Sequence, residues 1–342
     1  MSAKTRFVHV GFPKSASTTL QNSFFSAHPN IYHVGNGYKG GNNTYADDGV
    51  EWVAEHVLRY RKEYMYDAEA ARKPFLPHFE AAEADPNILA VGFSSEFFCF
   101  NLSNEIDVAH KAQRIHDIFG DGTKIVFIFR EQFSMLRSLY LEMIRGGYYH
   151  SYRKFIEYTY LYQDRSWCHD FAYHNIFALY AKLFGKENVV AVPFELLKRS
   201  EDQFIGMICN GIGVPSRETK LPEMNKKRED TGYYEHLRRL NDRARHEFGS
   251  PFYEPFSATR LRTYFHNELG VAIPKDRLAD DALRIPLAQT ARKIQEHDAL
   301  PDLELTMTAE LEKRLTAIYA PSNVTLMEQT GLDLASFGYR LA

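Results

Sequence analysis

The sequence predicts an α/β fold: a central parallel sheet flanked by helices on both faces, with a mostly helical C-terminal extension. Three observations carry this. Short apolar, β-rich runs recur at Phe7–Phe12, Asn87–Ser95, Lys124–Arg130 and Asn188–Phe194, separated by stretches of helical periodicity. Strands alternating with helices imply right-handed crossovers and a parallel sheet. Within the third run, Ile125 to Phe129 is apolar at every position, as a strand covered on both faces must be. Beyond Leu196 no such run recurs, and the chain reads as helical or irregular.

The elements follow in order. After the first strand, a Pro/Ser/Thr turn leads into a helix from about Thr18 to Ala27. Ile31–Val34 reads as a second short strand, and the Gly/Asn-rich stretch Gly35–Gly49 as a loop. Helical patterns run from about Val50 to Glu83 with breaks near Pro74 and Pro77, and an amphipathic helix spans Ile106–Phe119 up to Gly120. After Arg130, the residues Phe133, Leu136, Tyr140, Met143 and Ile144 share one helical face. Further helices fill about Tyr152–Phe184. One domain over 1–342 is expected, with a core of about 5–230 and a helical part of about 231–342. In such a sheet the ligand site lies at the carboxyl ends of the strands.

Composition narrows the function. Among 342 residues, 41 Lys+Arg stand against 44 Asp+Glu, a formal charge of −3. This excludes binding of nucleic acid or an anionic membrane by bulk charge, but not a local anion pocket. Cys99, Cys168 and Cys209 form no C-x-x-C pair and sit among apolar neighbours, where reduced buried thiols are expected. Met1–Arg6 is polar and opens no signal-like apolar segment, and the longest apolar runs are too short to cross a bilayer. A cytoplasmic protein without a transmembrane segment is expected. No H-E-x-x-H, paired cysteines or carboxylate cluster suggests a metal.

The strongest motif is Gly11-Phe12-Pro13-Lys14-Ser15-Ala16-Ser17-Thr18-Thr19-Leu20, joining the first strand to the first helix. Amides at a helix N-terminus attract anions; Lys14 adds a cation, and Ser17, Thr18 and Thr19 add hydroxyl donors. Capping alone would need only Ser17 or Thr18. A Walker A loop is excluded, because Lys14 does not directly precede the hydroxyl run and no second glycine is present. A magnesium-nucleotide enzyme also needs an acid at a neighbouring strand end, whereas the strongest strand ends in Arg130.

With these residues in view, the sequence resembles the sulfotransferases that use 3′-phosphoadenosine 5′-phosphosulfate (PAPS), on a P-loop-like fold and of the bacterial and carbohydrate-type branch. Their 5′-phosphosulfate loop, P-K-[ST]-[GA]-[ST]-T, matches Pro13 to Thr18. Their 3′-phosphate element is an arginine closing a strand with a helical serine eight residues on, as are Arg130 and Ser138. The resemblance covers about residues 7–230. Ala16 stands where glycine is common, and Glu131-Gln132 where asparagine-proline often follows the arginine. The R-K-G-x-x-G-type segment of the small-molecule branch is missing; Asn225-Lys226-Lys227-Arg228 could supply Lys227 and Arg228 to the 3′-phosphate or be a solvated charge run.

The resemblance implies PAPS as co-substrate, 3′,5′-adenosine bisphosphate as product, no metal, and a hydroxyl of a carbohydrate or related small molecule or glycolipid as acceptor. It assigns the leaving-group role to Lys14, the 5′-phosphate to the amides from Ser15 through Ala16 with Ser17, Thr18 and Thr19, and the 3′-phosphate to Arg130 and Ser138. The base is a glutamate or a histidine in such enzymes. Glu96 is the first candidate, at a strand end among Phe93, Phe97, Phe98 and Phe100 where burial raises a carboxyl pKa; a helix-start glutamate is the plain alternative. His33 is the second. The aromatic run Tyr148–Phe177 fits an acceptor pocket, helix packing or a homodimer surface. Arg238, Arg239, Arg243 and Arg245 lie among acidic residues as a solvated face would. A kinase-like phosphotransferase and a non-catalytic adenosine-phosphate sensor are the competing readings.

Overall fold

A computed structural model of the chain describes residues 4–39, 42–101, 105–164, 166–216, 221, 231–244, 279–297 and 302–342. Its centre is a six-stranded sheet: β1 Thr5–His9, β2 Ile31–Lys39, β3 Asn42–Tyr45, β4 Ala90–Ser94, β5 Lys124–Phe129 and β6 Val189–Pro193, ordered β3-β2-β4-β1-β5-β6. Five strands run parallel, and β3 pairs antiparallel at the edge beside β2.

The stretch expected to be a loop at Gly35–Gly49 is thus largely a hairpin. Its Gly and Asn residues are poor strand formers, but β2 continues past Val34 through a register irregularity at Gly35 and pairs with β3. Gly35 has φ +141°, and a Cβ there would lie 2.6 Å from the Tyr45 ring, so this position demands glycine.

Alternation along the strands sorts two cores. Val8, Val91, Phe93, Ile125, Phe127 and Phe129 join one buried cluster, and Phe7, Ala90, Val126, Ile128 and Val192 join the other. The second is covered by the helix over residues 17–25 (α1), α-helical at Ser17–Thr19 and π-wound over Leu20–Phe25, and by Glu201–Ile212. The first is covered by α2 (Val108–Phe119), α3 (Gln132–Arg145), α4 (Tyr152–Leu161) and α5 (Tyr173–Phe184). Helices therefore flank both faces, as the sequence predicts.

The aromatic run is mostly core. Tyr148, Tyr152, Phe155, Trp167 and Phe171 are buried, Phe155 meeting Tyr140, Tyr148 and Trp167 ring to ring. All three cysteines are buried free thiols. The C-terminal part adds α6 (Thr231–Ala244), α7 (Ala279–His297) and α8 (Ala309–Thr330). Among the described residues no helix is long and apolar enough to cross a membrane.

Candidate active site

Three adjacent strands, β4, β1 and β5, release at their carboxyl ends the residues expected to act. Glu96 follows β4, Lys14 follows β1 and Arg130 follows β5. At roughly 4.8 Å between neighbouring strands, β4 and β5 themselves lie about 10 Å apart.

The β1 loop is shaped by close approach at Gly11, where a Cβ would lie 2.5 Å from His9 Nε2 and 3.1 Å from Ile128 Cβ. Lys14 and Ala16 have φ of +61° and +68°, and they are the only positive-φ residues besides glycine among those described. Positive φ therefore alternates with negative φ from Pro13 to Ser17. Such alternation turns successive amides into one concavity, a ready anion cradle. Ser17 is held at the helix start by donating from Oγ to Phe12 O at 3.1 Å.

The left-handed Ala16 explains why glycine suits this position. A left-handed L-residue carries strain of about 1–2 kcal/mol, and the greater flexibility of unfolded glycine offsets part of the relief. Ala16→Gly should therefore stabilise the fold by about 0.5–1 kcal/mol, read as a raised midpoint in urea; a lowered midpoint would contradict this account of the loop.

Arg130 ties that loop to α3. Its Nη1 donates to Lys14 O at 3.0 Å, while Nε and Nη2 donate to Ser134 Oγ at 2.9 and 2.7 Å. Three of its five N–H donors are engaged in this way. The guanidinium also lies over the Phe194 ring, 5.0 Å from its centroid. Burial lowers its pKa from the usual value, but an arginine has so much margin that it stays charged.

Glu131 and Gln132, which depart from the family pattern, have clear work. The Glu131 carboxylate caps α3, accepting from Phe133 N at 3.0 Å and Ser134 N at 2.7 Å. Gln132 Nε2 donates to Asn323 Oδ1 at 2.6 Å, on α8. Glu195 accepts from Glu131 N at 3.0 Å and from Tyr339 Oη at 2.9 Å. The C-terminal segment thus braces the start of α3.

Along α3, Ser134, Ser138 and Glu142 recur every four residues and so share one face. Ser134 holds Arg130, and Glu142 Oε2 lies 3.2 Å from Lys14 Nζ. Ser138 lies between them on that face, which turns toward the loop.

Glu96 opens a 3₁₀ turn, Glu96–Phe98, capped by the Ser95 hydroxyl. Lys111, fully buried, donates to Phe97 O at 2.8 Å and Phe100 O at 2.9 Å and pairs with Glu105 at 2.5 Å. Arg59, itself paired with Glu55 and Glu105, lies 3.7 Å from the Phe97 ring centroid. Two buried cations therefore clamp the turn. Burial raises the Glu96 pKa, with Lys14 and Ser17 opposing and Glu142 adding to the rise. Lys14 and Glu142 are thus in contact, and Glu96 feels both. Glu142 goes the other way: burial pushes it up, but Lys14 and Arg145 bring it below the usual carboxylate value. Environments that drive two carboxyls apart mark acid–base sites.

His33 stands elsewhere. It is mid-strand, paired with Gly92, because β2 runs on to Lys39. Its Nδ1 is 3.0 Å from Ser26 Oγ and its ring stacks on Phe25 at 5.8 Å. Burial drives its pKa down to about 3, so it is neutral. Lys227 and Arg228 lie outside the described residues. Arg238 and Arg239 both pair with Glu235, which is buried, and Arg238 also donates to Tyr149 O at 3.0 Å, so this part of the run is packed against the protein rather than a simply solvated face; Arg245 lies outside the described residues. Among the described residues no three His, Cys, Asp or Glu side chains gather as a metal site.

The carboxyl edge of the sheet thus gathers an amide cradle, a lysine paired with a carboxylate, an arginine beside it and a carboxyl with raised pKa. A sequence model of the sulfotransferase family matches residues 7–218, which span the whole of this site, and the chain belongs to that family. It is a transferase whose reaction class is sulfuryl transfer. Among solved structures, a sulfotransferase from Alicyclobacillus acidocaldarius is similar at 17% identity with a TM-score of 0.52, over 98% of this chain and 99% of that one; this is a likeness of fold. The sulfotransferase domain of the Synechococcus PCC 7002 olefin synthase aligns at 13% identity over 88% of this chain and 98% of that one, with a TM-score of 0.34. Comparison with curated proteins gives no match.

Proposed function

We propose that the donor is PAPS and that the acceptor is a hydroxyl of a carbohydrate or related small molecule. The observation that carries the donor reading is the pair of cationic groups at neighbouring strand ends, with Arg130 bonded to the carbonyl of Lys14. One cradle for the 5′-phosphosulfate and one arginine for the 3′-phosphate suit a nucleotide with anions at both ends. In this reading the acceptor oxygen attacks sulfur in line as Glu96 takes its proton. The bond from sulfur to the bridging oxygen breaks, and its electron pair goes to the 5′-phosphate, where Lys14 meets the developing charge. Ser17, Thr18, Thr19 and the loop amides hold that phosphate, and Ser138 joins Arg130 at the other end.

The test is binding. 3′,5′-adenosine bisphosphate should stabilise the protein against heat far more than ATP with Mg²⁺ does. Arg130→Ala should weaken the bisphosphate by about thirtyfold, the loss of a charge-assisted pair worth about 2 kcal/mol. Preference for ATP with Mg²⁺ would replace this reading by a phosphotransferase. Tight binding without transfer from labelled PAPS to any acceptor in a broad glycan and metabolite panel would leave a sensor.

A further inference from the structure

Lys14 meets a partner that the transfer steps above do not use. Its Nζ lies 3.2 Å from Glu142 Oε2, and Arg145 Nη1 lies 3.2 Å from the same oxygen. Arg145 is held in turn, with its guanidinium 5.5 Å from the centroid of Tyr234 on α6. The side chains of Lys14 and Glu142 are 29% and 44% exposed. An ion pair that open to water is weak and exchanges readily.

We propose that Glu142 is a positioning residue, a counter-ion latch that holds Lys14 until the donor's anion displaces it, with Arg145 keeping Glu142 compensated afterwards. This rests on the reading of the cradle as the donor site. The cradle offers an incoming anion converging amides as well as Lys14, so the anion displaces a single carboxylate from the lysine. Release would ordinarily leave a part-buried carboxylate alone, which is unfavourable. Arg145 on the same oxygen removes that penalty. The charged groups acting on the pair are Arg145 and Glu96, and Arg59 in turn acts on Glu96.

Two measurements test the latch. In the enzyme without nucleotide, acetylation of Lys14 by acetic anhydride, followed by peptide mass spectrometry, should be about threefold faster in Glu142→Gln than in wild type; an unchanged rate overturns the proposal. Binding of 3′,5′-adenosine bisphosphate should be about threefold tighter in Glu142→Gln, and this gain should vanish when Lys14→Ala is added. A gain that persists without the lysine means that Glu142 acts only as a general negative charge, and the latch fails. Faster acetylation with no bisphosphate binding by any form upholds the latch and rejects the nucleotide. Arg145→Gln supplies a second variant: Glu142 then has Lys14 alone, and the bisphosphate should bind about twofold more weakly, with equal or tighter binding counting against the proposal.

Discussion

Lys14→Ala is expected to lower turnover at saturating donor and acceptor by about a thousandfold, the usual scale for removing one group that meets charge developing in a transition state. The bridging oxygen of a phosphosulfate carries little charge in the ground state and gains it as the bond to sulfur breaks. A cation that meets this oxygen acts on turnover more than on donor affinity. The fold should hardly notice. Among the described residues the ion pair lost is that with Glu142, both side chains partly in water, and such a pair contributes about 0–1 kcal/mol. The melting temperature should therefore move by about 3 °C or less. A tenfold or smaller fall in turnover, or a fall matched by unfolding, would remove Lys14 from the leaving-group role. Lys14→Arg refines the result. It keeps the charge, but a planar fork cannot take the place of a compact ammonium, so most of the loss should remain.

The parts of the site legible in the sequence are those that end an apolar strand. Lys14, Glu96 and Arg130 each follow a run of β-rich hydrophobics, and a parallel sheet brings such ends to one edge whatever the details of packing. Glu142 is hidden for the opposite reason. On a helix surface a glutamate reads as solvated, and only the passage of α3 over the β1 loop makes it Lys14's partner. Its four-residue spacing from Ser138 is the one available signal. His33 misleads through a strand boundary. If β2 ended at Val34, His33 would stand at the ligand edge; because Gly35 bends the strand onward to pair with β3, the histidine stays mid-strand beneath α1. Local propensity argues against a Gly/Asn strand, and the pairing that overrides it is long-range. The C-terminal brace is likewise illegible, since Asn323 and Tyr339 reach Gln132 and Glu195 across more than a hundred residues.

Glu96→Gln should lower turnover by about a hundredfold or more, the range lost with a general base, and should change two pH profiles in opposite senses. A base must be ionised before it can accept the acceptor's proton, so wild-type kcat/KM should rise with pH through the Glu96 pKa. Burial raises that value above the usual 4.5, which places the acidic limb above the pH at which an exposed glutamate ionises. A glutamine at this position has no proton to lose, and the limb should flatten. Stability follows the reverse course. Folded Glu96 holds its proton to higher pH than unfolded Glu96, so between 4.5 and the raised value the native state binds more protons and loses stability as pH rises. Above that window wild type carries the full penalty of a desolvated, part-buried carboxylate that Lys14 and Ser17 only partly offset. The Glu96→Gln protein escapes it. It should melt higher than wild type at pH 8, with the advantage gone near pH 4. An enzyme that becomes slower and more stable at once is the signature of a residue kept for chemistry rather than for folding. His33→Gln supplies the contrast, since His33 is neutral and engaged with Ser26 and Phe25. Near-wild-type turnover in Glu96→Gln alongside lost turnover in a folded His33→Gln would move the base to the histidine.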